Sequence, residues 1–124
     1  MPQYKEKKDK NNLTVSNTDN SVKIKVDCQY GTIAFVSFNG EDEIKTVECG
    51  KEEVIGKANK LKGKSVKFSC TSSNPDDGQI KIIHTIYETG GNKLIYTFPD
   101  DYTGTPDFHE DDKEPFYKFY CNFI

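Results

Sequence analysis

Residues 21–30 read SVKIKVDCQY, the cleanest two-residue period in the chain. Val22, Ile24, Val26, Cys28 and Tyr30 fall on one side, and Lys23, Lys25, Asp27 and Gln29 on the other. Successive side chains of a strand point to opposite faces, so this is a strand with one dry face and one wet face. A wet outer face belongs to an antiparallel sheet, because the strands of parallel sheets are covered on both sides.

The same pattern recurs outward from this strand. TIAFVSF (residues 32–38) follows directly after Gly31, close enough to predict a tight hairpin, and Asn39-Gly40 is a turn signal before EIKTVEC. SVKFSCTSS places Val66, Phe68 and Cys70 on one face. NPDDG then reads as a turn, since Pro75 fixes φ, Asp76 and Asp77 can bond their own backbone, and Gly78 accepts a left-handed conformation. QIKIIHTIYE, a Thr-Gly-Gly-Asn turn and KLIYTF make a second hairpin of β-branched composition. PFYKFYCNFI closes the chain as an aromatic strand, with Tyr117, Phe119, Cys121 and Phe123 on one side and Phe116, Tyr120 and Ile124 on the other. Residues 51–65, KEEVIGKANKLKGKS, leave a choice between a long connection and a short helical turn within 52–62, because Gly56 interrupts the spacing of Val54, Ala58 and Leu61.

Seven to eight short strands separated by turn residues predict an all-β fold, an antiparallel β-sandwich. The layer pattern is similar to immunoglobulin-like sandwiches, although the Cys…Trp…Cys core of immunoglobulin domains is missing because the chain has no Trp. Residues 1–11 are polar and aperiodic and read as a flexible tail or linker, leaving 12–124 as a single domain. At 124 residues with 34% hydrophobic and 30% charged content, the core must be thin and built from aromatic and β-branched residues.

All 17 basic residues are lysine. Arginine is the usual reader of phosphates and guanine edges, and a net charge of −3 with no arginine argues against nucleic-acid binding. No apolar run approaches the roughly 20 residues needed to cross a bilayer. The four cysteines, Cys28, Cys49, Cys70 and Cys121, form no CxxC pair, which argues against a zinc knuckle and for one or two disulfides between strands. Cys28–Cys70 or Cys49–Cys70 would join central strands and leave Cys121 to tie down the last one. Export to the cell surface, periplasm or medium is the compartment those bridges imply, an intracellular location the alternative.

Catalytic signatures fail one by one. Gly63-Lys64-Ser65 resembles the end of a phosphate loop, but that motif needs glycine where Ala58 stands. His84 alternates with Ile82 and Ile86 and reads as a core-edge histidine, while His109 sits among carboxylates that favour its charged form. No nucleophile elbow is present. The chain is therefore read as a non-enzyme.

The feature with functional content is FPDDYTGTPDFHEDDKEP, residues 98–115. Its seven acids between residues 100 and 114, against Lys113, give −6 and leave +3 for the rest of the chain. A long polar loop on a β scaffold is a common place for recognition. The partner-binding candidates are Asp100, Asp101, Asp107, Glu110, Asp111 and Asp112 on the loop, with Phe116 and Tyr120 on the outer side of the last strand. No organic cofactor is indicated. Ca²⁺ suits the loop's oxygens, with Asp100, Asp101, Asp107 and Asp111 as candidate ligands, although Tyr102 and Thr103 stand where the twelve-residue calcium loop has ligands. The expected function is a non-enzymatic binding or interaction module with a protein partner, of basic character if the loop makes the contact. An immunity- or inhibitor-type protein that neutralises a basic partner, and a structural spacer domain, are the alternatives.

Overall fold

The computed structural model describes residues 11–40, 43–73, 80–101 and 116–124. They form nine strands and one short helix: β1 (Asn12–Leu13), β2 (Ser21–Gln29), β3 (Ile33–Asn39), β4 (Ile44–Glu48), β5 (Glu52–Lys57), α1 (Ala58–Leu61), β6 (Ser65–Ser73), β7 (Lys81–Glu88), β8 (Lys93–Phe98) and β9 (Phe116–Phe123). The fold is the expected all-β sandwich. A five-stranded sheet has the order β1-β9-β6-β3-β4 and a four-stranded sheet the order β5-β2-β7-β8. Neighbours pair antiparallel except β1, which runs parallel to β9.

The alternation that predicted β2 holds from Val22 to Cys28, with Val22, Ile24 and Val26 fully buried and Cys28 half-buried. Tyr30, expected on the same dry face, is 52% exposed because the chain has left the strand there, at φ 60. β7, paired beside β2, and β9, in the opposite sheet, alternate as β2 does, so the dry faces of the two sheets meet in the core. The core is thin and aromatic, as the composition required. Tyr96 of β8 stacks on Phe119 of β9 at 4.4 Å, and Phe119 stacks in turn on Phe68 of β6 at 5.0 Å. Phe98 and Tyr117 lie parallel at 3.8 Å. Each such pair adds about 0.5–1.5 kcal/mol beyond the area it buries.

Two local expectations are corrected. Residues 29–32 do form a tight turn, with Tyr30 at φ 60 and Gly31 at φ 77 and the Thr32 N–H bonded to the Gln29 carbonyl at 3.0 Å. It does not close a hairpin. Both edges of β2 are taken, by β5 and β7, so the turn carries the chain into the other sheet, where β3 pairs with β4 and β6. In the ambiguous stretch 51–65, the first half is a strand rather than a connection. Val54 and Ile55 supply its β-branched character, and Gly56 sits opposite Val22, where the register with β2 shifts. The helical turn is real but confined to Ala58–Leu61, where it buries Ala58 and Leu61. The strand count is therefore nine rather than seven or eight.

The cysteine pairing is also corrected. Cys28 bonds Cys49, joining the end of the four-stranded sheet's β2 to the turn after β4 of the other sheet, while Cys70 and Cys121 are free and buried. Neither Cys28–Cys70 nor Cys49–Cys70 forms. Cys70 lies opposite Tyr117 on the β6–β9 ladder and Cys121 lies opposite Val66, so the two free thiols are four ladder positions apart. At about 3.3 Å per residue that separation is beyond disulfide reach.

Candidate functional site

Of the loop candidates, Asp107, Glu110, Asp111 and Asp112 lie outside the described residues, as does His109. Asp100 and Asp101 are described, and both are engaged. The Asp101 carboxylate accepts the Thr97 N–H at 2.8 Å while its own N–H donates to the Thr97 carbonyl at 2.7 Å, closing the turn at the end of β8. Asp100 pairs with Lys81 at 3.7 Å, an exposed ion pair worth at most about 1 kcal/mol. Among the described residues no three His, Cys, Asp or Glu side chains gather where they could hold a metal ion. The Ca²⁺ candidates Asp100 and Asp101 thus have other work, and Asp107 and Asp111 lie outside the described residues.

Phe116 and Tyr120 take the outer side of β9, both half-exposed, as their alternation with the buried Tyr117, Phe119 and Cys121 requires. Ladder pairing extends them across the sheet. Phe116 lies opposite Thr71, Thr71 is followed by Phe35, and Phe35 by Glu48. Tyr120 lies opposite Lys67. Lys118 places its Nζ 5.7 Å from the Phe116 ring centre, a cation over an aromatic face. Phe35 is 46% exposed and Ile44 is 74% exposed on the same surface.

The two outer faces differ in kind. On the four-stranded sheet the outward side chains include Lys23, Lys25, Asp27, Glu52, Lys81 and Lys93, with Lys23 paired to Glu52 and Lys81 to Asp100. Glu52 is 3.7 Å from Lys23 and accepts the Tyr87 hydroxyl at 2.7 Å, which together hold its carboxyl below the usual range. The outer face of β3, β4, β6 and β9 carries only Glu48, Lys67 and Lys118 as charges, on a ground of serine, threonine and aromatic residues. Charge depletion with aromatic enrichment distinguishes contact surfaces from ordinary solvated ones.

A shallow groove of about 460 Å³ crosses this second face. Its floor dips because small serines, Ser37 and Ser69, lie between the larger Ile44 at one rim and Tyr120 at the other. Ser37 shares a hydrogen bond with Thr46 at 3.1 Å.

Inside the sandwich lies a polar cluster that sequence reading named only in part. His84 is fully buried, and its Nε2 is 2.6 Å from the Tyr117 hydroxyl. Burial holds the imidazole down at about 3, so it is neutral. Burial also pushes the Cys70 thiol up to about 12 and the Tyr117 phenol well above its ordinary value, with Cys70 beside it adding to the latter shift. A neutral imidazole and a protonated thiol that both neighbour the Tyr117 phenol make no reactive pair, and the cluster serves packing and hydrogen bonding.

Glu88 was missed, although its place after Ile82, His84 and Ile86 marks it as inward-facing. Its carboxylate accepts the Ser16 N–H at 2.7 Å, the Ser16 hydroxyl, and the Asn20 amide at 2.9 Å. These donors lower its pKa, led by the Ser16 hydroxyl and the Asn20 amide. The buried acid is a latch that fastens segment 14–20 to the β7–β8 hairpin.

No family model matches the chain, and neither does any curated protein or solved structure.

Proposed function

We propose that the protein is a non-enzymatic binding module, exported or displayed at the cell surface, whose contact surface is the outer face of β3, β4, β6 and β9. The observation that carries this reading is the contrast between the sheets. One presents Lys23, Lys25, Asp27, Glu52, Lys81 and Lys93 to solvent, while the other presents Phe35, Ile44, Phe116 and Tyr120 among serine and threonine hydroxyls with three charges, Glu48, Lys67 and Lys118. The disulfide supports an oxidising compartment. Asp100 and Asp101 are engaged by Lys81 and Thr97, and the proposed contact centres on the aromatic face beside the acidic loop.

The test is binding of the folded protein to intact cells and cell-surface extracts of its source, comparing the native sequence with Tyr120→Lys and with Ile95→Lys on the opposite sheet. Binding lost with Tyr120→Lys and kept with Ile95→Lys supports the reading. Binding kept with Tyr120→Lys overturns it.

A further inference from the structure

We infer that the groove between Ile44 and Tyr120 takes a short acidic oligosaccharide, one carrying a carboxylate sugar; this rests on the contact face proposed above. The groove's size, lining and charge each narrow the occupant.

Size argues for a small ligand. The four strands of this face, spaced about 4.8 Å, and some six paired residues along each, at about 3.3 Å, outline roughly 400 Å². A stable protein–protein interface needs about 800 Å² from each partner, so this face alone is half a protein contact. The groove's volume of about 460 Å³ falls instead within the span of small-molecule sites.

The lining argues for a sugar. Tyr120 offers a ring face and a hydroxyl at one rim, and Ile44 an apolar wall at the other. Between them Ser37, Asn39 and Ser69 supply short, neutral groups that both donate and accept. A pyranose has the matching chemistry, an apolar C–H face with hydroxyls around its rim.

Charge argues for an anionic sugar. Lys67 is the one ionic side chain of the lining; no carboxylate joins it there, and among the described residues it forms no ion pair. Its ladder partner is Tyr120, so a carboxylate bound by Lys67 would bring the sugar ring that bears it beside Tyr120. A net charge of −3 discourages long polyanions from binding indiscriminately, so a single cation in an acid-free groove selects isolated carboxylates.

The experiment is titration calorimetry and saturation-transfer NMR of the folded protein. Its probes are tetragalacturonate, a hyaluronan tetrasaccharide and sialyllactose, with cellotetraose as the neutral comparison and a tetraglutamate peptide as the non-sugar anion. At least one acidic saccharide should bind, with saturation of the tyrosine ring signals. Tyr120→Ala should weaken that binding about tenfold or more, and Ile95→Ala by less than about twofold. Lys67→Gln should abolish the preference over cellotetraose and flatten the salt dependence. No binding by any acidic saccharide, equal binding of cellotetraose, or equal binding of tetraglutamate overturns the inference. If Tyr120→Lys still abolishes cell-surface binding in that event, the contact face stands and only its ligand class falls.

Discussion

The Nε2 of His84 lies 2.6 Å from the hydroxyl of Tyr117, so one hydrogen bond joins β7 of the four-stranded sheet to β9 of the five-stranded sheet through the middle of the core. The Nδ1 of His84 has no hydrogen-bond partner among the described residues. An unmet lone pair costs less than an unmet N–H, which assigns the proton to Nε2 and makes His84 the donor to Tyr117. Protonation at Nδ1 would place a charge in a dry, aromatic environment.

That geometry predicts an acid sensitivity. Free imidazole titrates near 6.5, and in the folded chain His84 is held at about 3, so between these values the unfolded chain binds a proton that the folded chain refuses. Stability is greatest above the upper value and falls as pH drops through the window. Between about pH 7 and about pH 5 the loss should be about 2 kcal/mol, before most carboxylates titrate. Urea unfolding at the two pH values measures it. His84→Gln, which keeps a donor but cannot titrate, should remove most of the slope, and an unchanged slope would assign it elsewhere.

Tyr117→Phe should cost about 1–3 kcal/mol, because it deletes the acceptor of a buried donor and leaves the ring packing intact. The loss should shrink in His84→Phe, where no donor remains to be stranded. A double-mutant cycle on the two positions reads the coupling directly.

The cysteines should react in two steps, neither of them in the native protein. Native protein should take up no alkylating agent, since Cys70 and Cys121 are buried and their thiols are held protonated, at about 12, by burial. Denaturant alone should expose these two, and denaturant with reductant should add Cys28 and Cys49. Mass spectrometry counts the labels. Replacing Cys28 and Cys49 by serine should cost about 3 kcal/mol, the loop-closure entropy for a crosslink spanning 21 residues.

Glu88→Gln should destabilise nearly as much as Glu88→Ala, by about 3 kcal/mol, because one carboxylate oxygen accepts from both Ser16 and Asn20 and an amide NH₂ there would face two donors. The folded-state pKa of Glu88 is depressed, so its contribution is present above the ordinary carboxylate range and lost as pH falls through the folded value. Faster hydrogen exchange at the Ser16 amide, with the β2 amides unchanged, would locate the damage to segment 14–20.

Deleting residues 1–10 should leave the melting temperature unchanged, since MPQYKEKKDK offers little apolar surface beyond Tyr4. Extending the deletion through Val15 should lower it by several degrees. That removes the Asn11 and Leu13 carbonyls, which accept the Asn122 and Ile124 N–H groups, and the buried Leu13 and Val15. Scanning calorimetry of the two truncations separates the cases.

The sequence by itself determined the layers. Alternation in SVKIKVDCQY, SVKFSCTSS, IKIIHTIYE and FYKFYCNF sorted most side chains to the inside or outside, because a period of two follows from strand geometry alone, although Tyr30 is exposed and Glu88 was missed. It placed Tyr120 and Phe116 outward and Tyr117 and Phe119 inward correctly, and it put His84 at the core edge, where the structure buries it completely. Pairing was another matter. A two-residue period says which face is dry but not which strand lies alongside, so the turn after Gln29 looked like a hairpin and Cys28 had several candidate partners. The structure decided that β2 pairs with β5 and β7, that β1 runs beside β9, and that Cys49 comes to Cys28. It also gathered Ser16, Asn20 and Glu88, and His84 with Tyr117, from distant parts of the chain. These contacts depend on register and on the packing of two sheets, which are properties of the whole fold and leave no mark on any local stretch of residues.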